Sequence, residues 1–289
     1  MSVELLQLTY FCDAAKTENF SHTAEKFNVP PSNISQTVKR LESELGVKLF
    51  RRSANKISLS EEGRIFYEGA KRALDALNQA KNRLSDVDGY GKGEIRLLIQ
   101  TCRRVVTNAI EQYKQKFPGV SISINHNPLD GADDYDFIIS DSIDEPSEYR
   151  SEFLITERIL LAAKVGSEIA QKPPSSLSQL ASERFIALDS SRLFGFTEQL
   201  CKSEGFIPNV VIRTDDPYYV RKYVEMGLGI ALVPSVSWRG QFSKDAALID
   251  IGGYKRDTRL FVKKEKILTK SEQAFYDVLI ATFKEESKQ

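Results

Sequence analysis

Between residues 66 and 87, apolar side chains recur at spacings of 4, 3, 4, 3, 4 and 3: Phe66, Ala70, Ala73, Leu77, Ala80, Leu84 and Val87. A repeat averaging about 3.5 residues keeps one stripe of a helix turned toward a neighbouring helix. The chain therefore needs a long helix that buries this seam, against a second copy or against a helix of its own. Its place between a complete small module and a glycine-rich break at Gly89, Gly91 and Gly93 favours a second copy. The seam also divides the chain, because 289 residues suit two or three domains rather than one.

The module ahead of the seam carries a local charge contrast. Residues 1–29 have a balance of −2, whereas residues 30–58 hold Lys39, Arg40, Lys48, Arg51, Arg52 and Lys56 against Glu42 and Glu44, a balance of +4. A net charge of zero for the whole chain hides this basic stretch. Phosphate contacts need only a local basic face, since screening confines them to about 8–10 Å. Leu5, Leu8, Cys12 and Ala15 then mark a first helix, ended by Thr17-Glu18-Asn19. Ser21 is a suitable N-cap for a short second helix to Phe27, and Pro30-Pro31 opens a third. In the third, Ile34, Val38, Leu41 and Leu45 share a core face, while Ser32, Ser35, Gln36, Lys39 and Ser43 lie opposite, with Asn33 and Arg40 at the margin. Hydroxyls, amides and flexible bases are the side chains that bond base edges and phosphates, although such a face can equally be solvated and no more. Gly46 closes the helix, and residues 49–52 and 56–59 read as two short strands around Ser53-Ala54-Asn55.

From Glu94 strands alternate with helices: strands near 95–100, 120–124, 137–140, 185–188, 210–214 and 230–233, and helices near 103–117, 195–204, 216–227 and 271–284. This order predicts α/β domains with mostly parallel sheets. The stretch Asp130–Glu148, with eight acids and no bases, reads as a solvated loop.

The run Phe20-Ser21-His22-Thr23-Ala24-Glu25 through Pro31-Ser32-Asn33-Ile34-Ser35-Gln36, continuing to Arg52 and then Ile57-Ser58-Leu59-Ser60-Glu61-Glu62-Gly63, resembles the helix-turn-helix and wing of LysR-type transcriptional regulators. Weaker matches follow at Phe117-Pro118-Gly119-Val120, residues 135–139 and residues 224–234. The resemblance implies an α/β chain in three parts: a mainly α winged helix-turn-helix (residues 1–60), a dimerising linker helix (61–88) and an effector-binding domain (89–289). The last would resemble type 2 periplasmic binding proteins, with subdomain I at about 93–161 and 265–289, subdomain II at about 162–264, and hinges near 160–164 and 259–264. It also implies double-stranded promoter or operator DNA as partner, a homodimer or homotetramer built as a dimer of dimers, and RNA polymerase as a further partner if the protein activates. By motif position Ser21, Ser32, Asn33, Ser35, Gln36 and Lys39 would face DNA, with Arg52 and Lys56 on the wing. Asn55 stands where many relatives carry a second wing arginine, and the stretches 101–117 and 124–136 are shorter than is usual.

In that fold, helix N-termini would aim N–H groups at an inter-subdomain cleft, which favours an anionic effector. Thr101, Cys102 and Arg103 at one turn, and Ser190 and Arg192 at the equivalent turn, are the expected contacts. Arg103 and Arg104 would either clamp an anion or remain surface charges beside the acidic stretch. Cys102 beside arginine at a helix start is a candidate for a lowered thiol pKa, whereas Cys12 and Cys201 sit at core spacing. The alternative is a repressor whose C-terminal domain only oligomerises. No catalytic function, metal site or cofactor is expected: His22 and His126 are isolated, and no phosphate loop, dinucleotide fingerprint or nucleophile elbow is present. Three scattered cysteines, no signal-like N-terminus and no run of about 18–20 apolar residues point to the cytoplasm and away from a membrane.

Overall fold

The computed structural model describes residues 3–53, 56–85, 93–127, 135–141, 147–188 and 192–288. By contacts the chain divides into residues 1–89 and 90–289.

In the first unit, helices α1 (Leu5–Thr17), α2 (Phe20–Lys26) and α3 (Pro31–Leu45) enclose Phe11, Ala14, Ala24, Ile34, Val38 and Leu41, all buried. Helix α2 is capped by Asn19, whose Oδ1 accepts from Ser21 N and His22 N at 2.9 and 3.2 Å. The cap therefore falls two residues before the expected Ser21, because an amide oxygen ahead of the helix reaches the unpaired first-turn N–H groups. Asn28 turns the chain with φ 53°, a conformation that asparagine tolerates better than most residues, and Pro31 begins α3 at its first position. Strands β1 (Phe50–Ser53) and β2 (Lys56–Leu59) pair antiparallel as the wing.

Helix α4 (Glu61–Ser85) carries the heptad run, and its two halves differ. Ala70 is buried and Phe66 half-buried against α1, with Phe66 5.4 Å from Phe11 between ring centroids. The start of the expected inter-subunit seam thus packs within its own domain. Ala73, Leu77 and Ala80 are exposed, while Val87 and the side chain of Leu84 lie outside the described residues. Periodicity fixes which stripe is apolar but not which helix covers it.

In the second unit the order is β3 (Glu94–Ile99), α5 (Arg103–Lys116), β4 (Ser121–Asn125), β5 (Phe137–Ser140), β6 (Tyr149–Lys164), α6 (Glu168–Gln171), β7 (Arg184–Leu188), α7 (Arg192–Ser203), β8 (Asn209–Thr214), α8 (Pro217–Met226), β9 (Ala231–Pro234), β10 (Ala246–Lys263) and α9 (Lys270–Glu286). The main sheet, ordered β4-β3-β5-β10-β6-β9, is mixed rather than mostly parallel. Strands β3, β4 and β5 run parallel, whereas β10 is antiparallel to both β5 and β6. The 16-residue β6 and the 18-residue β10 pair along most of their lengths. Each passes from one apolar core to another. Leu154, Ile155, Leu260 and Val262 belong to the first core, under α5 and α9, whereas Ile159, Leu161 and Ile251 belong to the second. The crossing falls at residues 156–158 and 255–258, earlier on both strands than the hinges expected near 160–164 and 259–264. A break in register between Asp250 and Lys255, at Gly252 (φ 117°) and Gly253 (φ 79°), lets β10 bend there.

Gly63 sets the approach of α4 to the wing. Ser60 caps this helix through Gly63 N at 2.8 Å, and a Cβ on Gly63 would stand well inside van der Waals contact of Leu49 O. The Gly63→Ala protein should lose about 1–3 kcal/mol in the N-terminal unit. Thermal unfolding of the full chain, followed by far-ultraviolet circular dichroism, checks this. An unchanged first transition would contradict the close packing.

Candidate DNA face and ligand cleft

On α3, Ser32, Asn33, Gln36 and Lys39 are exposed and Ser35 is half-buried, opposite the buried Ile34, Val38 and Leu41. Glu42, on the buried side, accepts from Leu49 N (2.9 Å) and Phe50 N (3.2 Å) and pairs with Lys48 at 3.2 Å. The carboxylate of Glu18 accepts from Leu59 N at 2.9 Å. Both wing strands are thus tied to the helices by carboxylates that satisfy backbone donors. Two of the six bases counted in residues 30–58 are engaged internally: Lys48 with Glu42, and Arg40 with Glu4 and Glu44 at 3.0 and 3.2 Å. Lys39 and Arg51 are exposed and make no ion pair among the described residues. The side chains of Arg52 and Lys56 fall outside the described residues, as does Asn55; Ser21 is exposed.

In the second unit a cavity of about 230 Å³ is lined by Cys102 of the first core and by Leu188, Leu193 and Trp238 of a further apolar cluster. Its floor is a buried polar network. Glu157 on β6 and Arg256 on β10 are cross-strand partners, with Nε and Nη2 of Arg256 donating to Glu157 Oε1 at 2.9 and 2.8 Å. Arg256 also pairs with Asp141 (3.0 Å) and donates to the hydroxyls of Thr101 (2.7 Å) and Ser237 (3.3 Å). Glu157 further accepts from Val236 N, Ser237 N and Ser237 Oγ at 3.0, 2.8 and 2.7 Å. Burial alone would push the guanidinium of Arg256 down, but the charges of Glu157 and Asp141 outweigh it and hold the pKa above the ordinary value.

Of the expected contacts, Thr101, Cys102 and Arg103 do line the cavity. Ser190 and the side chain of Arg192 lie outside the described residues. Arg104 turns away: it donates to Val236 O at 3.3 Å and pairs with Glu286 of α9, which also holds Arg239 at 2.9 Å. It is therefore not half of a clamp. Cys102, with φ 53°, is buried with Sγ 3.2 Å from Ser237 Oγ, and burial and then Glu157 push its thiol up to about 11. The lowered pKa is thus overturned, because desolvation and then the Glu157 carboxylate outweigh the charge of Arg256. The acidic stretch is not uniformly solvated either. Asp136 is buried against Lys266 at 2.8 Å, and Asp141 reaches Arg256. Sequence reasoning missed Glu157, Arg256, Asp216, Arg221 and Trp238. They come together only through the pairing of β6 with β10 and the packing of α8, and no local motif marks either.

A family model for the LysR substrate binding domain matches residues 89–284, and one for the bacterial regulatory helix-turn-helix protein, lysR family, matches residues 5–64. Among curated relatives, the transcriptional dual regulator GltC of Bacillus subtilis is 24% identical, covering 97% of this chain and 98% of that one. The HTH-type transcriptional activator CmpR of Synechocystis is 26% identical over 96% of this chain and 95% of its own. Among solved structures, a full-length OxyR variant from Pseudomonas aeruginosa superposes with a TM-score of 0.68 at 18% identity, over 98% of this chain and 95% of that one. Full-length CbnR complexed with its target DNA gives 0.63 at 20% identity, over 96% and 99%.

All three cysteines are buried, and burial raises each thiol: Cys12 to about 12, Cys102 and Cys201 to about 11. Below pH 9 each is neutral whether the chain is folded or not. As pH rises from about 9 the unfolded chain loses these protons first, so their contribution to stability is lost up to about 11 for Cys102 and Cys201 and about 12 for Cys12. The native protein should therefore leave all three thiols unlabelled by Ellman's reagent at pH 8 and release all three in denaturant. Rapid labelling of Cys102 in the native state would contradict its burial.

Proposed function

The chain belongs to the LysR family of transcriptional regulators, and on that premise we propose that α3 reads operator DNA while the cleft of the second unit senses a small anionic effector. The observation that carries the first half is the face of Ser32, Asn33, Gln36 and Lys39 held outward by the buried Ile34, Val38 and Leu41. Ser35 and Ser21 flank that face, and Arg52 and Lys56 extend it along the wing toward phosphates or the minor groove. Lys39 and Arg51, which make no ion pair among the described residues, supply charge for the backbone. The cleft supports the second half: Thr101, Arg103 on α5 and Arg221 on α8 line it, while Ser190 and Arg192 remain contacts expected from the sequence alone.

In this reading, residues 1–60 bind DNA, residues 61–88 link subunits and residues 89–289 regulate. The exposed Ala73, Leu77 and Ala80, continued by Leu84 and Val87, form the stripe through which two copies pair, as a dimer or a dimer of dimers. Pairing would place two copies of α3 on half-sites one helical turn apart. The protein acts in the cytoplasm, and an activator of this kind would also contact RNA polymerase.

Two substitutions on α3 separate base readout from charge. Gln36→Ala should cost about 1–3 kcal/mol at the cognate site and relax the preference at one base pair. Lys39→Ala should weaken all sequences alike and reduce the salt slope by about 1. Fluorescence-anisotropy titrations of operator and scrambled duplexes at several salt concentrations measure both. Wild-type binding by both variants would move the DNA face elsewhere.

A further inference from the structure

Among the described residues, Glu18, Asn28 and Cys102 adopt a positive φ without being glycine. Asparagine tolerates this conformation, but glutamate does not favour it. Glu18 stands at the C-cap of α1 with φ 47° and ψ 34°, a place where glycine fits without the crowding that a Cβ brings. What a glutamate adds there is its side chain. The carboxylate, half-buried, reaches 41 positions along the chain and accepts from Leu59 N at the end of β2, at 2.9 Å.

Leu59 is the register partner of Phe50 in the wing. In an antiparallel ribbon, alternate pairs turn their N–H groups outward instead of toward each other. Phe50 and Leu59 are such a pair. Phe50 N donates to Glu42 at 3.2 Å on one edge, and Leu59 N donates to Glu18 on the other. The base of the wing is thus gripped on both edges, by α3 through Glu42 and by α1 through Glu18. The two grips differ in kind. Glu42 is buried and also holds Leu49 N and Lys48, whereas Glu18 holds the β2 edge through a single bond. A ribbon of two strands has little stability of its own, so it inherits its direction from its base. Its far pair, Ser53 with Lys56, lies about 10 Å beyond Leu59, which magnifies any change of angle at the grip.

We propose that Glu18 is a positioning residue for operator recognition: its carboxylate fixes the angle of the wing against the helices, and so the placement of Arg52 and Lys56 on DNA beside the bases read by α3. This rests on the reading that α3 and the wing contact DNA, and goes further in naming the group that aims the wing. The role calls for a hydrogen-bond acceptor on a side chain of this length, not for negative charge, which DNA phosphates repel. Glutamine keeps that acceptor. Glycine suits the backbone better than glutamate does, yet leaves Leu59 N without its partner, so Glu18→Gly separates the carboxylate's role from the needs of the turn.

The test uses the full-length protein and a duplex that the wild type selects from a random-sequence pool, with affinities measured by fluorescence anisotropy. Glu18→Gly and Glu18→Gln are each made in three backgrounds: wild type, Arg52→Ala/Lys56→Ala, which removes the wing's bases, and Gln36→Ala, which removes a contact of α3. In the wild-type background Glu18→Gly should weaken binding by about fivefold or more, the scale of one misplaced contact. That loss should vanish in the wing background and persist in the Gln36→Ala background, because only the wing contacts depend on Glu18. Glu18→Gln should bind as wild type does. A Glu18→Gly protein that binds normally, or whose loss persists without the wing's bases, would overturn the proposal. So would a loss that disappears with Gln36→Ala, or a Glu18→Gln protein as weak as Glu18→Gly. A Glu18→Gly chain without native circular dichroism would also overturn it, since Glu18 would then serve the fold itself. The DNA reading fails separately, and this proposal with it, if the wing variant and Gln36→Ala both bind as wild type does.

Discussion

Glu157 and Arg256 meet across two antiparallel strands at the place where both strands leave one core and enter the other. Removing two charges from water costs several kcal/mol for each ion, and their attraction recovers this only if the remaining donors and lone pairs are also met. Here they are. Glu157 collects two backbone N–H groups and a hydroxyl, and Arg256 reaches Asp141, Thr101 and Ser237. Every partner comes from a segment that also borders the cleft or the crossing, so the network fixes the crossing and shapes the cleft floor together. An apolar pair at these two positions would leave Thr101, Ser237 and two backbone N–H groups without these partners in a buried site.

The same device recurs wherever segments must be joined without regular pairing. Glu42 and Glu18 fasten the two wing strands by accepting Leu49 N, Phe50 N and Leu59 N. Glu286, near the end of α9, holds Arg104 beside the cleft and Arg239 after β9. The turn carrying Val236, Ser237 and Trp238 is shared: Val236 packs in the first core and Trp238 in a further apolar cluster with Leu188, Val220 and Val224.

Much of the first unit was legible because its information is local. The stripe of Ile34, Val38 and Leu41, Pro31 at the helix start and Gly46 at its end each follow from one helix considered alone. The linker helix was half legible: the heptads located it, yet Phe66 and Ala70 pack against their own α1 because periodicity does not choose a partner. In the second unit the expected strands near 95–100 and 137–140 formed, but alternation suggested parallel sheets, whereas β10 runs antiparallel between β5 and β6. Arg256 faces Glu157 from 99 residues away, a register no local pattern encodes. Cys102 shows the same limit. A neighbouring arginine is visible in the sequence, but the burial and the carboxylate that control the thiol are not.

The most direct measurement is a double-mutant cycle on Glu157 and Arg256 in the full-length protein, by urea unfolding followed through Trp238. Removing either partner alone, as Glu157→Met or Arg256→Met, strands a buried charge and should cost about 3–5 kcal/mol. Removing both should cost less than the sum of the two, because either single substitution already breaks their shared contact, although Asp141 then loses Arg256 in the double variant as well. Losses that simply add would contradict the account, since the two side chains would then act independently and the crossing would be held by something else.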